Sequence, residues 1–126
     1  MNAVLAIFVG AGVGGVMRHL LNGAVTGWLG SGFPYGILTI NVLGSTAMGL
    51  VAGWFAFAGE GSSTLKLFLA TGILGGFTTF SAFSLDTMLL IERGEAGLAA
   101  LYVSASVALS VLGLWAGLWL MRVVTG

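Results

Sequence analysis

Charged side chains divide this sequence into four long apolar stretches, and that division limits what the chain can fold into. Arg18, Glu60, Lys66, Asp86, Glu92, Arg93, Glu95 and Arg122 are the whole set. Between them run apolar segments at about residues 3–21, 36–58, 67–91 and 97–121. A helix rising 1.5 Å per residue needs about 20 residues to cross a 30 Å hydrocarbon core. Each segment is close to that length or exceeds it. Charged residues make up 6% of the 126 residues, against about 25% in an ordinary soluble domain. A chain this short cannot cover a water-facing surface with so few charges. Its surface must face lipid.

The expected fold is therefore all-α, a single domain of four transmembrane helices over residues 1–126. Short turn-like linkers at 27–34, 59–64 and 92–96 favour antiparallel neighbours. The first segment lacks the basic start of a signal peptide and reads as the first membrane helix. With no cysteine in the chain, a disulfide framework and thiolate metal sites are excluded. A net charge of zero with no basic block leaves nucleic acid without an electrostatic footprint.

Small residues recur every four positions at Ala6, Gly10 and Gly14, at Ser45, Gly49 and Gly53, and at Gly113 and Gly117. That spacing lines one face of a helix and lets backbones approach closely in lipid. It serves packing within one chain, between chains, or both. With four spans both termini share a side, which carries Lys66 and Arg122. The opposite side carries Arg18 and Arg93. The Lys/Arg excess that normally orients a membrane protein is missing. Balanced charge permits insertion in both directions, and two inverted copies could then pair about a two-fold axis.

The run Gly10–Gly15 matches a dinucleotide-binding glycine pattern only in form, since no strand precedes it and no acidic residue follows at the right distance. Arg18 is either a snorkelling headgroup contact or an inward cation at the mouth of an anion path. His19 beside it has no second metal-binding side chain nearby. Asn41, well inside the second span, must face protein or water. It forms an interhelical hydrogen bond or offers its NH₂ donors to a desolvated anion. Ser45 lies one turn along on the same face. In the third span Gly75-Gly76-Phe77-Thr78-Thr79-Phe80-Ser81-Ala82-Phe83-Ser84 suggests a break in the helix. Freed carbonyls at that depth must be buried in protein or bind something, and carbonyl oxygens suit Na⁺. Phe80 and Phe83 lie near one face, with Ser81 and Ser84 on another. Aromatic ring edges carry partial positive charge and attract an anion without trapping it. Ser106 and Ser110 stand one turn apart in the fourth span, where serine back-bonding is the competing explanation. Asp86, as a carboxylate, is no anion ligand. No nucleophile with its base is visible, so an enzyme is not expected.

These residues resemble the Fluc (CrcB) fluoride channels of bacteria. The matching pieces are Gly14-Gly15-Val16-Met17-Arg18, the segment from Gly36 to Asn41, and the run from Gly75 to Ser84. The resemblance implies an antiparallel, dual-topology homodimer in the bacterial inner membrane, with two F⁻ pores. It implies a central Na⁺ held by backbone carbonyls of Gly75 and Thr78 from both subunits. Asn41, Phe80, Phe83, Ser81, Ser110 and Arg18 match the pore and vestibule positions, and Thr79 within the motif is taken with them. The family usually has threonine where this chain has Ile37, threonine where it has Ala82, and glutamate where it has Asp86. A four-helix drug transporter and a non-transporting assembly subunit are the rival classes. The first needs a carboxylate deep in the membrane, which the first span lacks. Adding a lysine beside Lys66 is expected to force one orientation in the cell, as reporter fusions at the C-terminus would show. Full activity from a single forced orientation would count against inverted pairing.

Overall fold

The computed structural model describes residues 2–59 and 61–126, and Glu60 of the second linker lies outside them. The chain forms four long apolar helical spans, Ala3–Leu29, Tyr35–Ala58, Ser63–Glu92 and Ala96–Thr125, and is a multi-pass membrane protein. We label the first α1 and the second α2. The third is made of α3 (residues 63–77) and α4 (Phe80–Glu92), and the fourth is α5.

Asn2 starts α1 by accepting the Leu5 N–H at 2.7 Å, which satisfies one of the free amides of the first turn. The helix does not stop near Arg18, as the charge pattern suggests, but continues to Leu29. The terminator is Gly30, whose φ of 86° lies in the range glycine adopts without a Cβ penalty. Its N–H closes on the Thr26 carbonyl at 2.8 Å. Arg18 is thus placed in the body of α1. The third span likewise begins earlier than its apolar run, because Ser62 caps it by accepting the Leu65 N–H at 3.0 Å. Two segments, Trp54–Ala58 and Leu67–Leu74, are wound as wider π-helical turns.

The small-residue spacings are used inside the chain. Ala6, Gly10 and Gly14 are the buried residues of α1. A Cβ on Gly10 would stand 2.7 Å from the Phe68 carbonyl, and one on Gly14 would strike the Ile73 carbonyl. Gly76 answers from α3, with Ala11 Cα 2.8 Å from the site of its missing Cβ. On the other side α2 packs on α5 in a contact as extensive as that of α1 with α3. Gly49 meets the Leu114 backbone, Gly117 meets the backbone at Thr46 and Leu50, and Gly53 meets Met121. Lipid offers no hydrophobic drive for helix association, so close backbone contact supplies dispersion in its place.

Two small apolar clusters complete the interior. Ile37, Ile40 and Phe77 form one, and Leu90, Ala99 and Tyr102 form the other. Phe83 packs against both. Large apolar side chains such as Phe8, at 76% exposure, and Trp28, at 86%, face outward, where lipid covers them. Gly49→Val is expected to lower stability in detergent by about 1–3 kcal/mol, the usual range for overpacking. Gly12→Val, at a position with open space around it, is expected to change it by less than about 0.5 kcal/mol. Denaturant unfolding followed by tryptophan fluorescence measures both.

Candidate functional site

Between Phe77 and Phe80 the backbone of Thr78 (φ −80°, ψ 156°) and Thr79 (φ −151°, ψ 121°) is extended. The reason is local competition for hydrogen bonds. In a continuous helix the Thr79 N–H would bond the Gly75 carbonyl. Here it donates to Asn41 Oδ1 at 2.8 Å. Asn41 Nδ2 in turn donates to the Thr79 carbonyl at 3.0 Å. The Ala82 N–H, which would serve the Thr78 carbonyl, donates to Thr79 Oγ1 at 3.1 Å and caps α4. The carbonyls of Gly75 and Thr78 thus lose their helical partners.

Asn41 therefore acts first as a clamp from α2 onto the extended backbone. One of its two N–H donors is committed to Thr79, and one remains. Asn41 also borders a cavity of about 360 Å³, lined by Ser45, Thr78, Thr79, Phe80, Phe83, Ser106 and Ser110 among others. No charged side chain lines it. Ser106 is 6% exposed, and its hydroxyl is buried without a hydrogen-bond partner. Phe80 and Phe83 stand with ring centroids 5.5 Å apart, tilted at 42°. Phe80 is 78% exposed, so one wall of the cavity is open to the outside of the chain.

A second cavity, of about 490 Å³, lies on the other side of Thr79 and is lined by Arg18, His19, Asn22, Thr79 and Ser81 among others. The structure thus brings Asn41, Thr78, Thr79, Phe80, Phe83 and Ser110 together. It places Arg18 and Ser81 in the neighbouring space. Thr79 belongs to both cavities, and its Oγ1 lies 3.3 Å from Ser81 Oγ. Gly75 lines neither. Ser84 turns back on its own helix, donating to the Phe80 carbonyl at 3.0 Å.

Three residues at or beside the site, Ser106, Tyr102 and Asp86, stand outside the pore set that the sequence predicts. Ser106 was paired with Ser110 by spacing, and its missing partner is visible only in three dimensions. Tyr102 completes a one-per-turn stripe of hydroxyls with Ser106 and Ser110 on α5, a signal present in the spacing. Its O–H donates to Asp86 Oδ2 at 3.2 Å. Its ring lies 5.2 Å from that of Phe83 and edge-on to Phe33 at 5.6 Å. An aromatic series, Phe80, Phe83, Tyr102 and Phe33, thus runs from mid-span to the linker before α2. Nothing in the linear sequence joins Asp86 to Tyr102.

Residues 5–118 match the family described as CrcB-like protein, Camphor Resistance (CrcB). A relative in Rhodopseudomonas palustris, named fluoride-specific ion channel FluC, is 58% identical over 121 residues, covering 96% of this chain and 98% of its own. The chain belongs to the CrcB family. A second CrcB relative, fluoride-specific ion channel FluC 2 of Nitrobacter hamburgensis, is 55% identical over 99% of this chain and all of its own. A third, from Rhodospirillum centenum and also named fluoride-specific ion channel FluC, is 51% identical over 97% of both chains.

Replacing the clamp residue of this CrcB chain tests the local argument. Asn41→Leu strips both bonds from Thr79 and is expected to cost roughly 2–4 kcal/mol, the sum of two buried backbone groups left unpaired. Asn41→Asp keeps the acceptor for the Thr79 N–H and is expected to cost about half as much. Unfolding midpoints in detergent measure the difference, and equal losses would show that the clamp does not hold the extended segment.

Proposed function

We propose that this chain is a fluoride channel that lowers cytoplasmic fluoride by passive export across the bacterial inner membrane. It is not an enzyme. The uncharged cavity that Asn41, Ser45 and Ser110 line together with the two phenyl rings carries this reading. A small anion that accepts the Asn41 N–H left over from the clamp and the Ser110 O–H fits the chemistry of this cavity. Phenyl edges of Phe80 and Phe83 complete its surroundings. A proton-coupled drug transporter needs a carboxylate where its cation binds, and no charged side chain lines this cavity, which disfavours that reading. Asp86, the one carboxylate at depth, lines a different cavity and accepts from Tyr102. The names of the CrcB relatives agree with fluoride as the ion.

Fluoride is small and strongly hydrated, so donors along the path must replace its water and yet bind weakly enough for release. Fluoride enters cells as the neutral weak acid and dissociates inside. An inside-negative potential then drives the anion out with about 2.3 kcal/mol per 100 mV. Arg18 raises the local anion concentration on one side of Thr79. Ser81 and the Thr79 hydroxyl carry the polar surface toward Asn41.

The working unit in this proposal is a homodimer of inverted copies with two pores. The open wall at Phe80 and the extended backbone at Thr78 and Thr79 support it. Irregular backbone at this depth is tolerated against protein or water, not against lipid. A second copy would cover that face and complete each pore. The Gly75 and Thr78 carbonyls, freed of helical partners, are the right chemistry for a Na⁺ at the two-fold axis. When bound, that ion supplies a fixed positive charge joining the two copies. This makes residues 1–126 one domain that functions in pairs.

Proteoliposomes loaded with fluoride and followed with a fluoride electrode test the proposal. Efflux well above that of empty liposomes is expected. Phe80→Ile is expected to reduce it about tenfold or more, a barrier change of about 1.4 kcal/mol, with dimer size unchanged. Phe83→Ile is expected to do the same with an added loss of stability. No efflux above empty liposomes removes the channel.

A further inference from the structure

Polar residues on α1 recur at Arg18, Asn22 and Thr26, one per helical turn, so they share a face. Polar groups inside a membrane span must face protein or water. The structure shows what this face borders. Arg18 and Asn22 line the 490 Å³ cavity that reaches Thr79 and Ser81. Asn22 and Thr26 line a third cavity, of about 190 Å³, together with Asp86 and Arg93. This third cavity lies at the end of α1 near the linker, where Arg93 donates to the Gly32 carbonyl at 2.9 Å. Asn22 and Ile37 are the only side chains shared by the two spaces. Of the pair, only Asn22 carries hydrogen-bonding groups.

The position of Asn22 is built in. Its amide oxygen lies over the backbone of Gly36, where any Cβ would collide with it. The Asn22 side chain lines both cavities with its amide oxygen seated there. Among the described residues no protein group receives a hydrogen bond from it. Nearby, one Arg93 N–H donates to the Gly32 carbonyl and the Tyr102 O–H donates to Asp86.

We propose that Asn22 is a further path residue, the donor that passes a hydrated anion from the outer cavity beside Arg93 to the inner cavity beside Arg18. The proposal rests on the channel reading above and adds the route by which the ion approaches Thr79. Arg93 and Asp86 both line the outer cavity, with the Thr26 and Ser31 hydroxyls. Of its hydrogen-bonding side chains, among the described residues, Asn22 alone also lines the inner cavity. Arg18 stands one turn deeper, and the Ser81 and Thr79 hydroxyls follow. Gly36 serves as a positioning residue, because its lack of a side chain seats the Asn22 amide.

The test is fluoride efflux from proteoliposomes carrying the native protein, Asn22→Leu, Asn22→Asp, Gly36→Ala and the double variant Asn22→Leu with Gly36→Ala. Asn22→Leu is expected to lower efflux about tenfold by removing the donor. Asn22→Asp, nearly the same in shape, is expected to lower it at least as much at low ionic strength. Part of that loss should return in high salt, as screening of a fixed negative charge requires. Gly36→Ala is expected to lower efflux in the native background and to add little to Asn22→Leu, since both act through one amide. Native-level efflux in both Asn22 variants would overturn the proposal. If Asn22→Leu does not fold, native-level and salt-independent efflux in Asn22→Asp would overturn it alone. Absence of efflux in the native protein would remove the channel reading first, and this inference with it.

Discussion

Asn41 and Thr79 exchange two hydrogen bonds at 2.8 and 3.0 Å, and the centre of the molecule is organised around that exchange. A side-chain amide has the same donor and acceptor as a peptide group, so it can pair with an extended residue as a strand neighbour would. The pairing takes the Thr79 amide away from Gly75 and lets Thr78 and Thr79 straighten inside a span that lipid would otherwise keep helical. The Thr79 hydroxyl then caps the helix that follows, which fixes the direction in which Phe80 and Phe83 project. One half-buried amide thereby sets the backbone, the helix start and the aromatic pair together.

Around this centre the protein is held by closeness rather than by a large core. α1 against α3 and α2 against α5 meet through glycines whose missing side chains let one backbone touch the next. The apolar clusters are small, and most large apolar side chains look outward. This division leaves open space beside the two clusters. Hydroxyl and amide groups can then border open space without competing with leucines for it.

The four-span plan is legible in the sequence because two properties, length and apolarity, are enough to define a membrane helix. Helix ends are less so. Gly30 and Ser62, a glycine and a capping hydroxyl, set them, whereas the charges at Arg18 and Lys66 do not. The motif from Gly75 to Ser84 points to the site because glycine and threonine pairs are out of place at mid-membrane depth. The division of the polar residues between two cavities on either side of Thr79 is not legible. It depends on how α4 is rotated, and the clamp from α2 decides that. That Ser106 and Ser110 share a face is readable from spacing, and only the resemblance singles out Ser110. The unsatisfied hydroxyl of Ser106 and the Tyr102–Asp86 contact arise from packing between helices distant in sequence.

The two phenyl rings are held in different ways. Phe83 touches both apolar clusters and the Tyr102 ring, so any other side chain there must satisfy three sets of neighbours at once. Phe80 leans on little within its own chain beyond Phe83. A shape change at 83 propagates into the bundle, while one at 80 is felt only across the open face. Variation among descendants of this sequence should therefore be tolerated unequally at the two positions. The inner ring is bound to the architecture, and the outer ring is the adjustable element of the open face.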